Sequence, residues 1–101
     1  MITVRITDTS LHVSGHAGCA PAGQDIVCAA VSALYNTATL NLLALSDEGV
    51  CAVAYDPAPG KAWVAATPVR GREADVKQVL DIIGRGLRTM AEQYSDFVQM
   101  A

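Results

Sequence analysis

The sequence has few aromatic side chains and few basic ones. Its 101 residues include one Trp, one Phe and three Tyr. Small apolar residues, chiefly Ala and Val, must therefore fill most of the core, which favours close packing over large apolar pockets. The seven Lys and Arg residues are scattered among ten acidic ones, and the net charge is −3. Because phosphate binding needs clustered basic side chains, we expect no direct binding of nucleic acid.

Cysteine is also scarce, and the count of three is odd. An odd number fits poorly with a closed disulfide framework. The chain opens on the alternating pattern of a strand rather than on a secretory signal, and no apolar run looks long and unbroken enough to span a bilayer. We therefore expect a cytoplasmic protein with free thiols and no membrane segment.

The periodicity of the chain predicts one α+β domain over residues 1–101. Apolar residues alternate along the first two extended segments and again along two later ones, which indicates two hairpins. Two longer segments carry apolar stripes at helical spacing. The stripe of the first segment consists of Val27, Val31, Leu34, Ala38, Leu42 and Leu45. Its opposite, milder side carries Cys28, Ser32, Tyr35 and Thr39. The predicted order is β-β-α-β-β-α, an antiparallel sheet with two helices packed on it. The strands are predicted at residues 2–8, 11–16, 50–55 and 62–67, and the helices from Asp25 to the 46–49 turn and over 73–98.

Cys28 is the first candidate for chemistry. If Asp25 caps the first helix, Cys28 lies in its first turn, where backbone N–H groups lack helical acceptors. The helix dipole there stabilises a thiolate, and the free N–H groups suit a tetrahedral oxyanion. Both properties are needed by a cysteine nucleophile. The alternative is a buried cysteine that acts as a small apolar side chain.

His16 is the second candidate, because it ends the second strand just before a loop that returns the chain to Cys28. An imidazole there would exchange protons with the thiol and with a leaving amine. The alternative is a partly exposed histidine at a strand end. Asp25 either caps the helix or orients His16 as the third member of a triad. Ser32, one turn after Cys28, either bonds near the site or returns its hydroxyl to the preceding turn.

The segment between His16 and the helix is rich in small residues. Gly18 and Gly23 flank Pro21, a composition that suits a loop closing over an extended peptide. An ordinary surface loop has the same composition.

A zinc site is the rival use of these residues, with His12, His16, Cys19 and Cys28 as possible ligands. His12 and His16 are four residues apart on an extended segment, roughly 13 Å along a strand. One zinc ion cannot bind both while that strand stays straight, since its ligands lie at about 2.0–2.3 Å. We therefore expect no metal and no other cofactor.

Two segments resemble a known family. Gly15-His16-Ala17, a short loop and then Gly23-Gln24-Asp25-Ile26-Val27-Cys28-Ala29-Ala30-Val31-Ser32-Ala33-Leu34 closely resemble the ribosomal-processing cysteine proteases called Prp. The segment Gly86-Leu87-Arg88-Thr89-Met90-Ala91-Glu92-Gln93-Tyr94 is similar to the last helix of that family. The resemblance covers nearly the whole chain.

The resemblance implies a function and a set of roles. It implies a catalytic dyad of His16 and Cys28, with Gly15, Asp25 and Ser32 in support, and a homodimer. It implies a substrate, the N-terminal extension of the twenty-seventh large-subunit ribosomal protein, removed before that protein joins a ribosome. Two alternatives stay open: a non-catalytic ribosome-assembly or peptide-binding factor, and a protease that processes phage proteins.

Overall fold

The chain forms a five-stranded sheet with two helices. This computed structural model describes residues 1–16 and 22–101, and the side chains of residues 22–25 lie outside the description. The predicted α+β order is confirmed, with one strand added at the end. The elements are β1 Ile2–Ile6, β2 Ser10–Gly15, α1 Ala22–Asp47, β3 Cys51–Asp56, β4 Lys61–Pro68, α2 Glu73–Gln93 and β5 Val98–Met100.

The sheet is mixed rather than fully antiparallel. Its strand order is β3-β4-β2-β1-β5, and every pair is antiparallel except β1 with β5. The sequence analysis placed residues 94–98 in the second helix, but α2 ends at Gln93 and the chain returns alongside β1, where Ile2 pairs with Val98. A strand of three residues is too short to show alternation, so periodicity could not find it.

The core lies between one face of the sheet and the two helices. The predicted stripe of α1 is confirmed, because Val27, Val31 and Leu42 are fully or almost fully buried. Alternate residues of the central strands, such as Val4 and Leu11, meet them from the sheet. The intervening positions lie on the open face, so one surface of the sheet is packed and the other is solvated.

Two details of α1 differ from the expectation. Tyr35 and Thr39, assigned to a milder outer face, are buried. By length and composition alone, Ile26–Asp47 would also qualify as a membrane span, contrary to the expectation from the sequence. The buried stripe of α1 packs against the sheet, and this packing accounts for part of the apolar composition of the helix, since 33% of the apolar window is buried.

Two leucines in α1 give a matched test of this packing. Leu42 is fully buried, whereas Leu40 is 67% exposed. Leu42→Ala should lower the free energy of unfolding by about 2–5 kcal/mol because it leaves a cavity. Leu40→Ala, measured at a protein concentration that keeps the chain monomeric, should change it by less than about 0.5 kcal/mol. Urea unfolding measures both, and equal losses would contradict the assigned orientation of α1.

Candidate active site

A groove runs between α1 and the turn that joins β3 to β4. We call it the Cys28 groove, and residues 57–60 the β3–β4 turn. Its volume is about 300 Å³. Five parts of the chain line it: β1, the end of β2 with His16, one face of α1, the β3–β4 turn and the start of β4. The lining residues are Ile2, Val13, Gly15, His16, Cys28, Val31, Ser32, Tyr35, Asn36, Pro57, Ala58, Pro59, Gly60 and Ala62.

The structure brings the two main candidates together in this groove. Cys28 projects from α1 and is half-buried, with its side chain against the edge of the core. His16 follows directly after β2 and is exposed. Because both line the same groove, a molecule bound there meets the thiol and the imidazole together.

The predicted position of Cys28 within α1 is wrong. The helix begins at Ala22, so Asp25 lies inside it rather than at its N-cap, and Cys28 lies in the second turn. The amide of Cys28 is then within reach of a helical acceptor, and the dipole effect is confined to the first turn. The helix terminus therefore does not supply an oxyanion site at Cys28.

Gly15 has a clear structural reason to be glycine. Its φ is +87°, and a Cβ atom there would collide with the carbonyl oxygen of Met1. Its amide donates to the carbonyl of Gly60 at 3.0 Å. Gly15 therefore sets the end of β2, from which His16 enters the groove.

Three polar positions follow one another along the groove side of α1. Ser32 and Asn36 lie one and two turns after Cys28, and both are exposed and line the groove. Hydroxyl and amide groups at that spacing can bind the backbone of an extended peptide. The sequence analysis named Ser32 but missed Asn36, which the four-residue spacing from Cys28 and Ser32 would have indicated.

Tyr35 ties α1 to the β3–β4 hairpin, a role that the sequence analysis also missed. Its hydroxyl donates to the carbonyl of Trp63 at 2.6 Å and lies 3.2 Å from the carbonyl of Asp56. Burial raises the pKa of the Tyr35 phenol, so the hydroxyl keeps its proton as a donor at neutral pH.

Other predicted residues lie elsewhere. Gly18 and Pro21, like Cys19, are outside the described residues. Gly23 and Asp25 have helical backbone in the first turn of α1, so Gly23 does not belong to the loop, and the Asp25 side chain lies outside the description.

His12 is separated from His16 and Cys28, the other proposed zinc ligands that the structure describes. It lies on the open face of the sheet, stacked on Trp63 with the ring centroids 6.4 Å apart. Among residues 1–16 and 26–101, no three His, Cys, Asp or Glu side chains form a group that could hold a metal ion. The predicted separation of His12 from His16 therefore agrees with the geometry.

Cys51 is a core residue. It is 6% exposed, and its Sγ lies 3.6 Å from the carbonyl of Leu42. Burial raises the pKa of this thiol, which keeps it protonated and a poor nucleophile. Of the two cysteines whose side chains are described, only Cys28 has access to a groove.

Comparison with known proteins identifies the family. The model of a family described as cysteine protease Prp matches residues 1–99. The chain belongs to the Prp cysteine protease family. The quoted histidine and cysteine segments, and the α+β fold, agree with this membership, and the protein is therefore a cysteine protease.

Solved structures show the same fold. The SMU.848 protein of Streptococcus mutans is 29% identical, with 99% of this chain and 91% of that one covered and a TM-score of 0.68. The ribosomal processing protease Prp of Staphylococcus aureus, in complex with a covalently linked product peptide, is 25% identical, with 99% and 97% covered and a TM-score of 0.72. The same S. aureus protease with a substrate peptide gives a TM-score of 0.73 at 23% identity, with 100% and 98% covered. A search of curated protein sequences gave no match.

The different environments of Cys28 and Cys51 predict different alkylation. In a Cys19→Ser variant, iodoacetamide should add one group to the native protein, at Cys28. A second group should appear at Cys51 only after denaturation, because burial protects that thiol and keeps it protonated. Intact mass and peptide mapping measure both. Labelling of native Cys51 at the rate of Cys28 would contradict the assignment.

Proposed function

We propose that this protein is a cytoplasmic endopeptidase that removes the N-terminal extension of the twenty-seventh large-subunit ribosomal protein before ribosome assembly. The observation that carries the proposal is the shared position of Cys28 and His16 in one open groove. Membership of the Prp family and the ribosomal processing activity of the S. aureus relative support the substrate class.

The proposed mechanism uses the two side chains in turn. His16 takes the proton of the Cys28 thiol, and the thiolate sulfur attacks the scissile carbonyl carbon. His16 then gives that proton to the leaving amine as the C–N bond breaks, which leaves a thioester on Cys28. Water, deprotonated by His16, hydrolyses the thioester and restores the thiol.

The groove favours an extended peptide with small or apolar side chains. Among its described lining residues there is no Asp, Glu, Lys or Arg, and His16 is the one ionisable base. Pro57 and Pro59 form an apolar wall opposite α1. Ser32 and Asn36 offer hydrogen bonds to the substrate backbone, which position the peptide without selecting a side chain.

Substitution of the dyad should abolish cleavage of the extended ribosomal protein. Cys28→Ala removes the nucleophile, and His16→Ala removes the group that moves the proton. Each should lower kcat/KM by roughly 100-fold or more, since a positioned acid–base group alone contributes about 10²–10⁴-fold. Single-turnover cleavage, followed by mass spectrometry, measures the effect.

Matched controls separate a site effect from general damage. His12→Ala removes the other histidine, on the open face, and Cys51→Ala removes a buried thiol. Both should keep activity near that of the wild type while folded. Undiminished cleavage by Cys28→Ala would remove Cys28 from the mechanism. If the wild type bound the peptide tightly without turnover, the result would favour a non-catalytic peptide-binding factor. If it cleaved a phage protein but not the ribosomal extension, the result would favour a protease that processes phage proteins.

We also propose that the protein is a homodimer that pairs through the outer face of α1. Ile26 and Leu40 are 63% and 67% exposed. They are fourteen residues apart, about four helical turns, and so share one side of the helix. Ala29 and Ala33 are exposed on the same side between them, so this face is apolar over several turns. Contiguous exposed apolar surface is typical of an interface.

Sedimentation velocity tests the dimer. The wild type should sediment as a dimer at micromolar concentration, and Leu40→Glu should shift it to a monomer because a carboxylate would be desolvated in the interface. Gln78→Glu adds the same charge on exposed α2 and should remain dimeric. A monomeric wild type would contradict the proposal.

A further inference from the structure

We propose that Gly60, in the β3–β4 turn, is a positioning residue for the His16 imidazole. This inference rests on the proposed role of His16 as the proton-transfer group. It assigns to the turn a function beyond lining the groove: the missing side chain at Gly60 provides the surface against which the imidazole ring lies.

The contact between Gly60 and His16 is close and specific to the ring. A Cβ atom built on Gly60 would lie 2.6 Å from Nε2, 2.9 Å from Cε1 and 3.5 Å from Cδ2 of His16. The ring edge that carries Nε2 therefore occupies the space that any other residue at this position would fill. Nε2 is one of the two atoms through which an imidazole exchanges protons.

Gly60 also holds the backbone next to His16. Its carbonyl accepts the hydrogen bond from the Gly15 amide at 3.0 Å. The turn thus contacts the histidine segment twice, once through the main chain at Gly15 and once through the ring of His16. Gly60 therefore positions both the backbone at Gly15 and the side chain of His16.

The β3–β4 turn is itself held in place relative to Cys28, the proposed nucleophile. Asp56 and Trp63 are paired across β3 and β4 and flank the turn. Tyr35 lies two turns after Cys28 on α1. Its hydroxyl donates a hydrogen bond to the Trp63 carbonyl and lies close to the carbonyl of Asp56. One continuous path of contacts therefore runs from the Cys28 helix through Tyr35 and the hairpin to His16.

A side chain at position 60 should move the ring rather than the backbone. The imidazole is the end of an exposed side chain with two rotatable bonds, so it can swing away at little cost. A displaced base is costly to the rate, because a misplacement of about 1 Å reduces catalysis by roughly 100-fold. The expected result is a folded protein with a misdirected imidazole.

Two other glycines give matched controls for backbone strain. Gly60 has a φ of +78°, Gly49 of +80° and Gly71 of +91°. A Cβ at Gly49 or Gly71 meets nothing within 4 Å. Alanine at all three positions therefore carries similar left-handed strain, but only alanine at position 60 meets the His16 ring.

The experiment compares Gly60→Ala with Gly49→Ala and Gly71→Ala in the full-length protein. All three should lose similar thermal stability. Gly60→Ala should lower kcat roughly 10- to 100-fold with KM changed less than about twofold, whereas the two controls should keep kcat near that of the wild type. NMR of the histidine rings should show shifted His16 signals in Gly60→Ala and unchanged His12 signals.

The outcomes separate this inference from the proposed function. Full activity in His16→Ala would overturn the dyad itself. An inactive His16→Ala together with equal kcat values for Gly60→Ala and the controls would leave the dyad intact and overturn the role of Gly60. Unfolding of Gly60→Ala alone would also contradict the inference, because the ring is expected to yield before the backbone does.

Discussion

The packing of α1 on the sheet is the constraint on which the active site depends. Burial of Val27 and Val31 fixes the rotation of the helix about its axis. Cys28 and Ser32, the next residue in each case, then lie at the border of the core, where the groove opens. The hydrophobic effect thus orients the proposed nucleophile, although none of the buried residues takes part in the proposed chemistry.

The second requirement is that the sheet presents His16 to the same groove. Pairing of β1 with β2 ends at Gly15, whose positive φ turns the chain out of the ladder. The hairpin of β3 and β4 supports this end from the other side through Gly60. The proposed protease site is thereby assembled from a helix, a strand end and a turn that are separate in sequence.

Much of this could be predicted from the sequence. Alternation along residues 2–6 and the stripe from Val27 to Leu42 identified the strands and the core face of α1, since a buried face imposes its period on the chain. The predicted start of α1 was wrong because an aspartate such as Asp25 suits both an N-cap and an interior position of the first helical turn. Gly60 and Tyr35 could not be found, because their roles arise from contacts between distant segments that leave no local pattern.

The central claim is that a substrate peptide is cut where Cys28 and His16 meet beside the β3–β4 turn. The most direct measurement is a crystal structure of the wild type after reaction with a chloromethyl ketone peptide based on the ribosomal extension. The account predicts a covalent bond to the Sγ atom of Cys28, the peptide extended along Ser32 and Asn36, and the His16 ring between Gly60 and the sulfur. A peptide attached to another thiol, or bound on the open face of the sheet, would contradict it.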